Sequence, residues 1–217
     1  MPAVDAESLA QSPSAIEVLE QFPENFEARY VASGSMLPTL EIDDKVIIDK
    51  RNYPSASSQR GDIILYNLPS TAFDAPIVNN TPALHRVVGL PGETIAVRDG
   101  QVYIDNQLLE ETYLPQITPI DYEYGPQAIP EGHYFVLGDN RNVTFDSHIW
   151  GTLPQESILG KAIGIYCPVE RQTLLTISPL DEDSQALFDA IAGLFQNVPA
   201  LCHQQQSEAL LIGSLLN

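Results

Sequence analysis

With 217 residues, 44% of them apolar, the chain is long enough for one sizeable domain and too apolar to be disordered throughout. Its 29 acidic residues against 10 basic ones give a formal net charge of −19. That excess leaves no basic stripe to neutralise phosphates, which excludes nucleic-acid binding and disfavours adsorption on anionic lipid.

Residues 1–29 read as a leader. Its first part holds Pro2, Pro13 and small polar residues, and Ile16, Leu19 and Phe22 then suggest a short helix before Pro23. The first twenty residues carry acidic groups and no basic n-region, so no secretory signal is expected. No apolar run approaches the roughly 20 residues that a membrane span needs, and the chain is expected to be soluble.

From Tyr30-Val31-Ala32 the chain leads extended into the turn Ser33–Leu40. Short apolar runs bounded by turn residues follow: Lys45–Asp49, Asp62–Tyr66, His85–Val88, Thr94–Val97, Gln101–Ile104, Tyr134–Leu137 and Ala162–Tyr166. Asp99-Gly100 between two of them is a strong hairpin signal, and Asp105-Asn106 starts another turn. The pattern predicts a mainly β, antiparallel body over residues 30–170. Within it, residues 105–133, rich in Pro, Tyr and acids, read as a loop-rich insertion.

Residues 171–217 change character. Leu187, Ile191, Leu194 and Val198 recur at helical spacing, with Phe188 and Phe195 on a neighbouring line, and a second helix is expected over 208–216. No Lys or Arg follows Arg171. This acidic helical tail is expected to pack on the β body, with a partner-binding face as the alternative.

Cys167 and Cys202 have no metal-ligand spacing and are expected to be two buried free thiols. His133, in a turn, and His203, in the tail, are expected at the surface. Neither has ligand spacing to other donors, so no metal is expected, and no cofactor.

The stretch Ser33-Gly34-Ser35-Met36-Leu37-Pro38-Thr39-Leu40 carries the chemistry. Gly34 permits a tight turn and Pro38 stiffens its exit, so Ser35 could be presented as a nucleophile. Taken alone, it reads first as a Ser/Gly-rich turn between strands. Three more blocks follow it in order: Arg60-Gly61-Asp62-Ile63, then Arg86 through Glu93, then Gly138-Asp139-Asn140-Arg141 through Asp146-Ser147 and Trp150-Gly151. Together, over roughly residues 30–168, the chain resembles a bacterial type I signal peptidase, a serine endopeptidase that cleaves signal peptides by acyl transfer.

The resemblance implies that Ser35 is the nucleophile and that Ser33, with the Ser35 backbone N–H, forms the oxyanion hole. It places a lysine base where this chain has His85. A lysine base must be heavily desolvated, whereas histidine, with a reference pKa near 6.5, needs orienting instead. The endoplasmic-reticulum branch of signal peptidases resembles this chain in using histidine there. Three readings of His85 stay open: a working base, a mark of an inactive relative that still binds peptides, or a structural histidine.

By the same resemblance Thr144 stands where a serine hydroxyl meets the base, and Asp139 pairs with Arg86. His148 replaces an arginine that pairs with the aspartate of this block, and Val143 replaces a polar residue. Asp146 is the expected orienter of His85, with Asp139 the alternative. A peptide or preprotein would lie as an added strand along Tyr30, Val31, Ala32 and Ser33 and beside Leu84, with Met36 in the pocket wall. Ala-x-Ala-like sites are the expected substrates. The family also implies work at a membrane. This chain would reach one through a partner on its helical tail or through exposed apolar loops, or it would process a soluble substrate. Two rivals remain: an inactive peptide-binding module, and a self-cleaving regulator. The second is weakened by the lack of a helix-turn-helix and of an Ala-Gly or Cys-Gly site upstream.

Overall fold

The computed structural model describes residues 25–51, 53, 55, 57–69, 82–114, 119–176, 179–197 and 202. The helix expected before Pro23, the helix over 208–216 and His203 lie outside them.

Among the described residues there are twelve strands: β1 Phe26–Tyr30, β2 Lys45–Asp49, β3 Ile63–Tyr66, β4 Ala83–Gly89, β5 Thr94–Arg98, β6 Gln101–Ile104, β7 Gln107–Leu108, β8 Tyr124–Ala128, β9 His133–Leu137, β10 Leu153–Pro154, β11 Ile158–Cys167 and β12 Thr173–Leu174. They form an eight-stranded sheet in the order β1-β2-β11-β3-β4-β9-β10, with β12 beside β11, and a four-stranded sheet in the order β7-β6-β5-β8. The pairings within both sheets are antiparallel. Two helices complete the described elements, α1 Ser147–Trp150 and α2 Glu182–Asn197.

Strand alternation divides the core among several clusters. Val46 and Ile48 of β2 join Ile63 and Leu65 of β3 on one face, while Ile47 of β2 turns to the other. There it meets Ile163 and Tyr166 of β11 and the α2 side chains Phe188, Ile191 and Phe195. Gly164 makes room for that helix, because a Cβ there would collide with the Phe188 ring. Helix α2 of the tail therefore packs its apolar residues on the β body. The second sheet packs Ile95, Val97, Val102 and Ile104 against Val88 of β4 and Phe135 and Leu137 of β9. Asp99 and Gly100, at φ 52° and 74°, close the β5–β6 hairpin, and Asp105 and Asn106, at 49° and 66°, close β6–β7.

Four expectations need correction. Phe26–Tyr30, assigned to the leader up to residue 29, is an edge strand whose alternate residues reach the core under α2. The stretch 105–133 contributes β7 and β8, so the loop-rich insertion supplies both edges of the second sheet. Its strands are short and carry Gly125 and Pro126, which hide a strand signal. Cys167 and Cys202 are not free thiols but a disulfide, their Cα atoms 5.6 Å apart. The packing of α2 on β11 brings the chain beyond the helix back to the strand's end. His133, expected at the surface, is half-buried at the start of β9, its Nδ1 donating to the Glu131 carbonyl.

Candidate active site

The Ser33–Leu40 turn is fixed by its apolar residues. Met36 and Leu40 are 1% and 0% exposed and join Val31, Val46 and Ile48 in the core. Just before these two plugs, Ser33 is exposed and Ser35 half-buried. Leu40 N donates to the Met36 carbonyl at 3.0 Å, and Asn140 clamps the turn from outside. Its Nδ2 donates to the Gly34 carbonyl and its backbone N to the Ser35 carbonyl, each at 3.0 Å. Ser35 Oγ lies 3.1 Å from Ser33 Oγ. Among the described residues, no acceptor takes the Ser35 backbone N–H, so it is free to bind an oxyanion. Gly34 does not adopt a positive φ, and the turn does not depend on it as expected.

The glycine that matters for close approach is Gly138. A Cβ there would clash with the Thr144 side chain and sit 2.5 Å from the Ser35 carbonyl. Its bareness lets the Ser35 turn and the Thr144 loop meet.

His85 comes from the centre of the main sheet. In the β3–β4 register Ile64 lies opposite His85, so Tyr66, two residues along, shares its face. Tyr66 Oη is 2.7 Å from His85 Nδ1, and Thr144 Oγ1 is 3.2 Å from Nε2. The ring is only 4% exposed. Burial holds its pKa below the ordinary 6.5, against an upward pull from the Asp146 and Asp139 charges. The ring is therefore neutral near pH 7 and able to accept a proton. Burial, with the Asp146 charge, pushes the Tyr66 phenol well above its usual 10, so it stays protonated.

Neither acid orients the ring directly, contrary to expectation. Asp139 forms a buried two-bond pair with Arg86, at 2.8 and 2.6 Å, and accepts from Thr39 Oγ1. Asp146 accepts from Gly138 N at 2.8 Å, from His148 N at 3.0 Å and bonds His148 Nδ1 at 2.7 Å. Burial pushes the Asp146 carboxyl up, but these bonds outweigh it and hold it below the ordinary range. His148 thus occupies the partner position that the resemblance gives to an arginine, and it stacks on Tyr122 at 4.1 Å. A further buried pair, Arg141 with Glu111, ties the same loop down, with Arg141 Nε also donating to the Gly138 carbonyl.

The structure thus brings together Ser33 with Ser35, Thr144 with His85, and Arg86 with Asp139. It does not hydrogen-bond Ser35 to His85. Sequence reasoning missed Tyr66, Asn140, Arg141 and Glu111. Only Tyr66 left a usable signal, as the residue two beyond the one that strand pairing sets opposite His85. Of the lysines, Lys50 pairs with Glu27, Lys161 pairs with Asp62, and Lys45 lies on β2 opposite Tyr30.

Part of the segment expected to pair with a peptide is already engaged within the protein. Val31 donates its N–H to the Asp44 carbonyl and accepts from Asp43 N, so its backbone is spent. The side chains of Val31 and Met36 are core, while Tyr30 and Leu84 are half-buried. Exposed Ala32 and Ser33 continue from β1, an edge strand of the sheet.

The signal peptidase family, peptidase S26, matches residues 22–167, and the chain belongs to it. It is 44% identical to a probable signal peptidase I-2 of Synechocystis over 69% of this chain and 67% of that one. It is also 44% identical to a signal peptidase I of Leptolyngbya laminosa, covering 67% of this chain and 70% of the other. A chloroplastic thylakoidal processing peptidase 1 of Arabidopsis thaliana is 36% identical over 65% of this chain and 42% of its own length.

Proposed function

We infer that the chain is a serine endopeptidase that cleaves signal peptides after Ala-x-Ala-like sites, with Ser35 as nucleophile and His85 as base. The observation that carries this reading is the junction at Gly138. The Ser35 carbonyl and Thr144, which bonds His85 Nε2, both crowd the space that a Cβ at Gly138 would fill. The Ser35 hydroxyl leaves Ser33 and passes its proton to His85 Nε2 as Oγ attacks the scissile carbonyl. The carbonyl electron pair moves onto oxygen, which the Ser33 hydroxyl and the Ser35 N–H stabilise. Such a donor typically contributes about 3 kcal/mol. His85 then gives its proton to the leaving amine as the C–N bond breaks, and water, deprotonated by the same ring, releases the acyl group.

The substrate pairs by its backbone with the open edge at Ala32 and Ser33, with Leu84 across the groove. Small residues before the scissile bond fit a wall already filled by Val31 and Met36. Peptide binding without cleavage is the second reading, favoured by the hydrogen bonds that occupy both ring nitrogens of His85.

Cleavage of an Ala-x-Ala peptide separates the two. Wild type is expected to cleave it, and Ser35→Ala or His85→Ala to lose roughly four orders of magnitude in kcat or more. Peptide binding with no cleavage by wild type would overturn the enzyme reading.

A further inference from the structure

We propose that Tyr66 is the positioning residue for His85, its Oη accepting the Nδ1 hydrogen when the ring takes up the serine proton. The proposal rests on the Ser35–His85 reading and adds the group that makes histidine workable there. A neutral ring acting as base at Nε2 carries its one hydrogen on Nδ1 and keeps it there once charged, and that hydrogen needs an acceptor. Both nearby acids are committed elsewhere: Asp139 to Arg86 and Thr39, Asp146 to His148 and Gly138. Among the described residues Tyr66 Oη is the atom that meets Nδ1, at 2.7 Å, and that nitrogen is the hydrogen-bond partner of Oη.

The hydroxyl suits both states of the ring. It accepts the Nδ1 hydrogen of the neutral ring and of the imidazolium alike, its own hydrogen turned aside. It keeps that hydrogen throughout: the transferred proton comes from Ser35, rests on Nε2 and leaves with the amine. Tyr66 is fully buried, packed beside Trp150 with ring centroids 6.1 Å apart, and sits on the same sheet face as His85. Its placement is therefore set by the strand pairing and the core, not by a mobile loop.

Tyr66→Phe keeps the ring and removes the acceptor. The imidazolium then holds an unmet buried N–H, a larger loss than the neutral ring suffers. The expected result is a fall in kcat of roughly 10- to 100-fold with KM within about twofold. Nitrogen NMR of the His85 ring is expected to show a shifted Nδ1 resonance and a titration midpoint moved to lower pH. Ile64→Val trims the packing under the same ring pair and leaves the hydroxyl. It is expected to leave the His85 titration where it was.

An unchanged Nδ1 resonance in Tyr66→Phe overturns the contact. An unchanged kcat in an active protein overturns the positioning role, and an equal shift in Ile64→Val reduces the effect to packing. If wild type cleaves no peptide, the enzyme reading fails separately. The NMR comparison then still decides the contact, with a shifted resonance supporting it and an unshifted one overturning it.

Discussion

The chemistry of His85 follows from its burial. A lysine at this place would have to shed its charge, whereas a buried imidazole is already neutral. Its folded pKa lies below the ordinary 6.5. Both folded and unfolded chains hold it neutral above that value. As pH falls below it, the unfolded chain takes up a proton that the folded ring resists, so stability is lost as pH drops toward the folded pKa. The acid limb of kcat/KM is expected below 6.5 for the same reason, measured on an Ala-x-Ala peptide. A limb above neutrality would point to another base. Thr144→Val removes the hydroxyl that meets Nε2 while keeping the shape. We expect a fall in kcat of about fivefold and little change in KM, since one neutral hydrogen bond contributes about 1 kcal/mol. Sequence patterns pointed to His85 and Thr144 because blocks of residues name positions. They missed Tyr66 because its role is a contact across strands. The two acids expected to orient the ring were misread for a related reason. A carboxylate near a histidine in sequence order says nothing of which cation reaches it first.

At the scale of elements, the active site is a meeting of three pieces: the Ser33–Leu40 turn, strands β3 and β4, and the loop from Gly138 to Asp146. Two buried ion pairs, Arg86–Asp139 and Arg141–Glu111, tie that loop to the sheet and to the segment around Glu111. Removing one partner of such a pair strands a buried charge. Asp139→Asn is expected to cost about 3–5 kcal/mol in chemical denaturation. Gly138→Ala tests the junction itself, where a Cβ would stand 2.5 Å from the Ser35 carbonyl. We expect a loss of about 1–3 kcal/mol in stability and a larger fall in cleavage, because the Ser35 turn must shift away from Thr144. Strands with a continuous apolar run, such as β2 and β3, or with alternation, such as β6, were legible from the sequence. Edge strands β1, β7 and β8 were not, since short or Gly- and Pro-bearing edges lack a strong pattern. The core role of Met36 was also hidden. A residue directly after the serine reads as part of a groove until its neighbours fill the space around it.

At the scale of the molecule, the helical tail is part of the body. Phe188, Ile191 and Phe195 pack on the face of β11, and the Cys167–Cys202 disulfide closes the connection across 35 residues. A loop of that length corresponds to a stabilisation of about 3–4 kcal/mol on the chain-entropy account. Reduction is therefore expected to lower Tm, and native protein is expected to show no free thiol until it is reduced. Two reactive thiols in the native protein would contradict the fold's closure. The helix was legible from its periodicity, whereas the disulfide was not, because the pairing depends on where α2 docks. Among the described residues no helix is long and apolar enough to cross a membrane. The account as a whole stands on Ser35 being activated by His85. An Ala-x-Ala peptide bearing a phosphonate ester in place of the scissile carbonyl tests that step directly. Mass spectrometry is expected to find one adduct, on Ser35, formed more slowly as pH drops below 6.5 and lost in His85→Ala. No adduct on Ser35, or an unchanged rate in His85→Ala, would contradict it.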